Sequence, residues 1–352
     1  MAENSWKSLH REALVIDSHN DSIVSHIRRG NLSLTGKEKP ELKSREGTVA
    51  YLRGPLEQQA YACSEQLDFP KMRAGGIDAA FFAVDVTRAW KNHLAYALDA
   101  FGYFDADIAE HSEEVLVVRR AGDIVRAKNE GELGALLVVE NSDALEASLN
   151  VLWVFHRLGV RSITLTHNPS TWAAQGNAES RCGGGLTTFG VKLVEEMCRL
   201  RMLVDVSHIS ERGFWDTLEI ASRPVIASHS CCAALCDHPR NLTDEQLRGL
   251  AQNGGVVGIT FVESFLDPEW QPDRMFSTFE RLLDHIDHAV EVAGINHVGL
   301  GSDFDGGGTA LRDATEFPRI TQGLLERGYS EEAVRKILGG NHLRLLRETI
   351  GA

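Results

Sequence analysis

Ala13-Leu-Val-Ile-Asp-Ser-His19-Asn-Asp21 is an apolar run of strand length that ends in an imidazole and a carboxylate. The construction recurs in Gly134-Ala-Leu-Leu-Val-Val-Glu140, Leu203-Val-Asp-Val-Ser-His208, Pro224-Val-Ile-Ala-Ser-His229 and Val298-Gly-Leu-Gly-Ser-Asp303. In a (β/α)8 barrel all strand C-termini face one mouth, so residues far apart in sequence meet there. Histidine and carboxylate side chains converging at such a mouth are ligands for divalent metals. Five strand ends of this kind predict a metal-dependent enzyme.

Working outward, eight strand-like segments cover residues 13–19, 77–86, 134–140, 160–166, 202–207, 224–228, 254–261 and 297–302. They are rich in Val, Ile, Leu, Phe and Ala without clean alternation, as strands buried on both faces require. Helical periodicity fills the intervals, as in Ser148–Leu158, Val191–Leu200 and Phe279–Val290. Strand alternating with helix eight times predicts an α/β fold, a single-domain (β/α)8 TIM-like barrel over residues 1–352 with long βα loops over its C-terminal mouth. A doubly wound open sheet would carry a Gly-rich phosphate loop after its first strand, and none is present. Residues 28–62 and 168–188 exceed the repeat and are expected to cover the mouth. Parts of 36–50 read as plain surface insertion.

The 352 residues are 43% hydrophobic and 24% charged, ordinary for a soluble globular protein. A net charge of −14 argues against a nucleic-acid partner, whose binding needs a basic face. No apolar stretch approaches the ~18 residues of a membrane span, and Met-Ala-Glu-Asn-Ser-Trp-Lys lacks the apolar core of a secretory signal. The expectation is a cytoplasmic protein without a membrane partner. The six cysteines are too few for a disulfide scaffold, and Cys231, Cys232 and Cys236 match no zinc-motif spacing, so they read as free thiols.

His19 and Asp21 lie two apart, which on an extended strand places both on one face. With Glu140, His208 and His229 they make five ligands, more than one catalytic zinc needs. Two metals sharing Glu140, roughly 3.5–4 Å apart, use all five, with a hydroxide between them. Two divalent ions bring +4, against −3 from Asp21, Glu140 and the hydroxide, so the centre stays net positive and suits a carboxylate-bearing substrate.

Ile16-Asp-Ser-His19-Asn-Asp21, Val139-Glu140, Thr164-Leu-Thr-His167-Asn, Val204-Asp-Val-Ser-His208, Val225-Ile-Ala-Ser-His229-Ser, Arg240-Asn, Gly301-Ser-Asp303-Phe-Asp-Gly306 and Gly339-Gly340-Asn341 occur in this order. Together they resemble the renal (membrane) dipeptidase family of the amidohydrolase-like barrels, over about residues 13–345. The resemblance implies a binuclear zinc dipeptidase, two Zn2+ per chain with Glu140 bridging, acting on small L-L and often L-D dipeptides. It implies His19, Asp21, Glu140, His208 and His229 as zinc ligands. It further implies His167 as the residue that contacts substrate and polarises the scissile carbonyl, Arg240 as the carboxylate-binding residue and Asp303 as the proton shuttle. Homodimerisation is also implied.

The chain departs from the family in places. Glu140-Asn141-Ser142-Asp143 stands where Glu-Gly-Gly-His is common, which predicts a changed pocket polarity. Thr260-Phe261-Val262 replaces an aromatic pair with Tyr, which removes a hydroxyl. Other functions fit the same residues: a related amide hydrolase or lactonase on another small carboxylate-bearing molecule, or a catalytically silent metal-binding barrel. Plainer readings stand beside the ligand set, since Asp21 and Glu140 could be helix N-caps. Asp284-His285-Ile-Asp287-His288 reads as a solvated helix face. Asp17 and Asp205 are candidates for supporting the ligands, Asp305 and Gly306 for shaping the last loop, and Trp172 for lining the pocket or anchoring its loop.

Overall fold

The absence of alternation in the apolar runs has a simple cause: the strands they form have apolar layers on both faces. The computed structural model describes residues 3–43, 64–86, 92–111, 113–274 and 276–352. Its strands are β1 (Ile16–Asn20), β2 (Ala79–Asp85), β3 (Val115–Val117), β4 (Leu133–Glu140), β5 (Val160–Thr164), β6 (Leu203–Asp205), β7 (Ile226–Ser230), β8 (Val256–Ile259) and β9 (Val298–Leu300). All pairings are parallel. The ring runs β1-β2-β4-β5-β6-β7-β8-β9 and closes through β9–β1 and β2–β4. This is a closed eight-stranded (β/α)8 barrel. All eight expected strands are present with shifted ends: β2, β5, β6, β8 and β9 are shorter than expected, β4 begins one residue earlier, and β1 and β7 start later and run one and two residues further. The short β3 was not anticipated; it lies outside the ring and pairs with the start of β4.

Alternate strand residues divide into two apolar clusters. Ile16, Phe81, Leu136, Val138, Leu203, Ile226 and Val256 join Leu345 and Leu346 of the C-terminal helix Asn341–Thr349. Their neighbours Val15, Phe82, Leu137, Val139, Val204 and Val257 pack instead with the helices around the barrel. The first set fills the barrel and the C-terminal helix closes its floor, the packed-core arrangement of such barrels. His342 of that helix lies against Gly299 so closely that a Cβ there would sit 2.3 Å from its ring.

The helices begin where the local chemistry dictates. Ser148, Thr187, Ser210 and Thr243 accept hydrogen bonds from the backbone N–H three residues on, capping helices Leu149–Leu158, Thr188–Leu200, Glu211–Ile220 and Asp244–Gln252. Of the two long loops, residues 44–62 lie outside the described residues. Within the described part, Gly36–Glu38 is exposed, but Lys39 is buried and paired with Asp107 at 3.2 Å. Asp107 also accepts from the Leu34 N–H at 2.7 Å and from the Ser33 hydroxyl. The surface-insertion reading therefore fails at Lys39, because a buried ion pair ties this segment to helix His93–Ile108. No helix among the described residues is long and apolar enough to cross a membrane.

Candidate metal centre

The residues expected at the mouth converge there. His19 lies in β1 and Asp21 just beyond it, Glu140 ends β4, and His229 lies in β7. His167, His208 and Asp303 each follow their strands (β5, β6 and β9) by three residues. The register of β1 shifts between Asp17 and Asn20, and that of β7 between Ala227 and Ser230. Both shifts fall on a histidine of the site, where a bulge re-aims a side chain. His208 and Asp303 have left-handed φ angles of 65° and 59°, a conformation costing about 1–2 kcal/mol in a non-glycine residue. Strain held at these two turns marks the strand ends as functional ground.

Glu140 Oε1 is the common point. It lies 3.1 Å from His208 Nε2, 3.5 Å from His229 Nε2 and 3.8 Å from His19 Nε2, which is itself 3.7 Å from Asp21 Oδ2. At the mouth, three groups have ligand atoms close enough to share an ion: His19, Glu140 and His229; Glu140, His167 and His208; His19, Asp21 and Asp303. Glu140 and His19 each belong to two of them. His167 and Asp303 thus lie directly beside the expected ligands.

The hydrogen bonds around the site determine which nitrogens carry protons. Asn168 Oδ1 lies 2.8 Å from His208 Nδ1, so that nitrogen donates and Nε2 keeps a lone pair. The Ser228 hydroxyl donates to Asp205, so its oxygen accepts from His229 Nδ1 at 2.8 Å. His229 Nε2 is therefore also bare. These two lone-pair nitrogens face each other at 2.8 Å. With neither carrying a proton, a cation between them is the arrangement that relieves the contact. Both ring nitrogens of His19 and Asp21 Oδ1 are buried and lack hydrogen-bond partners. The donor set fits divalent metal ions.

Electrostatics agree. Burial pushes Glu140 well above the carboxylate range, with Asp21, Asp85 and Asp303 adding repulsion. Burial opposes a charge on His19, yet Glu140, Asp21 and Asp303 around it raise it to about 10. His208 and His229 are driven well below their ordinary value by burial, with Arg240 contributing. Burial raises Asp303 to about 7 against the pull of His19. The carboxylates outweigh the positive charge available, and a cation is what the cluster lacks.

The plainer readings can now be compared with positions. Asp21 does stand before helix Ser22–Arg28, but its side chain makes no capping bond. Glu140 lies inside its strand, and Asn141 caps the following turn. Asp17 accepts from the Ser302 N–H and hydroxyl, and Asp205 from Ser207, Ser228 and Thr164, so both brace neighbouring strand ends. Asp305 holds the chain at Gln66, Leu67 and Ser22. Gly306 has a sharper role: a Cβ there would lie 1.9 Å from Asp21 Oδ2 and 2.4 Å from Asp303 Oδ1.

Arg240, in the loop after β7, is buried and donates to the His229 carbonyl at 2.8 Å, while its buried Nε has no partner. The His167 ring stacks on His208 with centroids 4.3 Å apart. Asp143 accepts from the Trp172 N–H at 3.0 Å, so the departure from the family motif secures a loop. The Trp172 side chain is 61% exposed, and its backbone does the anchoring.

Two expectations are corrected. Phe261 is fully buried and packs against Phe304 and Phe317, so its missing hydroxyl removes nothing from the mouth. Residues 284–288 are not a solvated face: His285 is buried between the Cys232 N–H and the Leu266 carbonyl, and Arg327 binds Asp284 and Asp287. Periodicity alone could not show that other elements pack against this helix. Cys231, Cys232 and Cys236 are free buried thiols. Asn168 and Ser228, which set the tautomers of the two histidines, were not singled out from sequence. Both adjoin a motif histidine (Asn168 after His167, Ser228 before His229), and that adjacency was the available signal.

Among known proteins, the membrane dipeptidase family (peptidase family M19) matches residues 3–351. The Schizosaccharomyces pombe protein named uncharacterized dipeptidase C965.12 is 31% identical over 370 residues, covering 99% of this chain and 83% of that protein. Dipeptidase tcpJ of Claviceps purpurea is 37% identical over 242 residues, 68% of this chain and 56% of that protein. The crystal structure of dipeptidase AC, a metallopeptidase of family M19, superimposes with a TM-score of 0.84 at 29% identity, covering 97% of this chain and 99% of that one. A Rhodobacter sphaeroides metallopeptidase liganded with a phosphinate mimic of L-Ala-D-Ala gives a TM-score of 0.82 at 28% identity, with 96% and 99% covered. A barrel mouth whose donor set fits metal ions and a family match over almost the whole chain agree: the chain belongs to the membrane dipeptidase family, peptidase family M19, and is a metallo-dipeptidase.

Proposed function

We propose that the protein is a binuclear zinc dipeptidase that cleaves small L-L and L-D dipeptides. His19, Asp21 and Glu140 would hold one ion, and Glu140, His208 and His229 the other. The observation that carries this reading is the pair of proton-free nitrogens, His208 Nε2 and His229 Nε2, 2.8 Å apart beside Glu140 Oε1. Imidazole and carboxylate donors suit zinc, and the phosphinate mimic of an L-D dipeptide on the Rhodobacter sphaeroides relative supports tolerance of a D residue. When bound, such a metal pair supplies Lewis acidity and makes water acidic enough to act as a nucleophile near neutral pH.

The chain's own residues do the rest. Arg240 anchors the substrate carboxylate; its buried Nε is a donor without a partner, and a guanidinium binds carboxylate in bidentate fashion. Burial keeps His167 below its ordinary value and therefore neutral. Its N–H donates to the oxygen of the scissile carbonyl as negative charge gathers there. Asp303, raised to about 7, takes a proton from the attacking water and passes it to the departing amine nitrogen.

The test is turnover of an L-L and L-D dipeptide panel before chelation, after it and after zinc is restored, with metal measured on the same samples. Loss on chelation and recovery with zinc at about two ions per chain is the expected result. Two bound ions without cleavage of any dipeptide would end the substrate assignment, and the absence of metal would end the ligand assignment. Arg240→Ala should raise KM by about tenfold or more for free dipeptides and leave carboxylate-blocked ones unchanged. Equal losses on both would remove Arg240 from its role.

A further inference from the structure

Four aspartates that brace the fold use both carboxylate oxygens. Asp17, Asp107, Asp205 and Asp305 each accept hydrogen bonds at Oδ1 and at Oδ2. Asp85 does not. Its Oδ2 lies 3.4 Å from an Arg28 nitrogen, while its Oδ1 is buried without a hydrogen-bond partner. An unsatisfied buried acceptor carries its full desolvation cost, so a structural role leaves this oxygen unexplained. Among the proposed site residues Asp21 shows the same signature, an oxygen with no partner.

Position points the same way. Asp85 is the last residue of β2 and stands in register with Glu140, the last of β4. Register-paired residues of parallel strands project to the same face, so the Asp85 carboxylate leaves the barrel wall beside that of Glu140 at the same height. Burial raises Asp85, with His167 and Arg28 pulling it down and Asp21 pushing it up, which sets it among the residues of the mouth. In the ring order β2 and β7 are four places apart out of eight, hence diametrically opposed. Arg240 hangs from the loop after β7. The mouth thus has a cationic pole and an anionic pole with the candidate metal ligands between them.

A dipeptide is a zwitterion, with an ammonium at one end and a carboxylate at the other. We propose that Asp85 binds the substrate's α-ammonium group through its unpaired Oδ1, opposite Arg240 at the carboxylate end. The inference rests on the dipeptidase reading above and assigns the specificity for a free N-terminus to this residue. It predicts that N-acylated dipeptides, which lack that charge, are poor substrates.

The experiment compares zinc-loaded wild type and Asp85→Asn, matched for metal content and unfolding midpoint. The probes are Ala-Ala, Lys-Ala and a phosphinate mimic of Ala-Ala made with and without its α-amino group. Removing the amino group should weaken inhibition of the wild type by about ten- to hundredfold and leave inhibition of Asp85→Asn nearly unchanged. The variant should show a raised KM for both dipeptides with kcat little altered. Equal inhibition of the wild type by the two mimics would overturn the proposal without recourse to any variant. So would a variant that loses affinity for both mimics alike, or losses confined to Lys-Ala, which would assign Asp85 to a side-chain amine. A wild type that bound both mimics but cleaved no dipeptide would instead sink the proposed function, and the mimic pair would still report on Asp85.

Discussion

Each end of the barrel buries a histidine with no hydrogen-bond partner on either ring nitrogen, and the two behave oppositely. His342 on the floor sits among Leu345, Leu346 and the Phe81 ring, and burial drives it down to about 3. His19 at the mouth is equally buried, but Glu140, Asp21 and Asp303 raise it to about 10 against the same desolvation. An unpartnered buried histidine is therefore not in itself a ligand. Carboxylates around it decide whether the site calls for a cation. The floor was built for packing, and the mouth holds charge that packing alone would not tolerate.

The largest effect that would break this contrast is Glu140→Gln. It should lose both metals and essentially all turnover, beyond the roughly 10–100-fold cost of changing an outer-shell partner. The metal-free variant should unfold no earlier than metal-free wild type, since a buried repulsive carboxylate has gone. Metal analysis and thermal unfolding read both effects, and a variant that keeps two ions would remove Glu140 as the bridge.

Asp303→Asn separates proton transfer from metal binding at the same end. Turnover should fall about 10²- to 10⁴-fold with metal content unchanged; metal loss in parallel would make Asp303 a ligand instead. Smaller again is Gly306→Ala, whose methyl would press on Asp21 and Asp303 together. Activity should drop on the order of 10–100-fold, with weaker metal retention. Full activity would mean the close approach of that backbone is incidental.

His342→Leu tests the floor and should leave kcat and metal content alone. Because the folded protein holds His342 neutral down to about 3, its contribution is fully present above the unfolded value of about 6.5. It is lost as pH falls from there toward about 3, at up to about 1.4 kcal/mol per pH unit. The variant should therefore resist acid better than wild type between pH about 6.5 and 3, read as unfolding midpoint against pH. An unchanged acid slope would show that His342 does not govern it.

Much of the site was legible because barrel topology converts strand ends into neighbours. Once His19, Glu140, His208, His229 and Asp303 were read as strand-end residues, their meeting followed. What stayed hidden depended on contacts across loops. Asn168 and Ser228 bond to imidazoles without any pattern of their own. Phe261 looked like a lost pocket hydroxyl and proved to be core. His285 looked solvent-facing because a helix's exposed face cannot be told from one covered by a neighbouring loop.

By itself the sequence determined the eight-stranded barrel and the types of side chain that meet at its mouth, because apolar runs, their lengths and the residues ending them are local properties. Only the tertiary structure decided which nitrogens are bare, which aspartates are fully bonded, and that Asp85 stands across the ring from Arg240. Those depend on hydrogen bonds and register between segments tens to hundreds of residues apart, for which a linear pattern carries no signal.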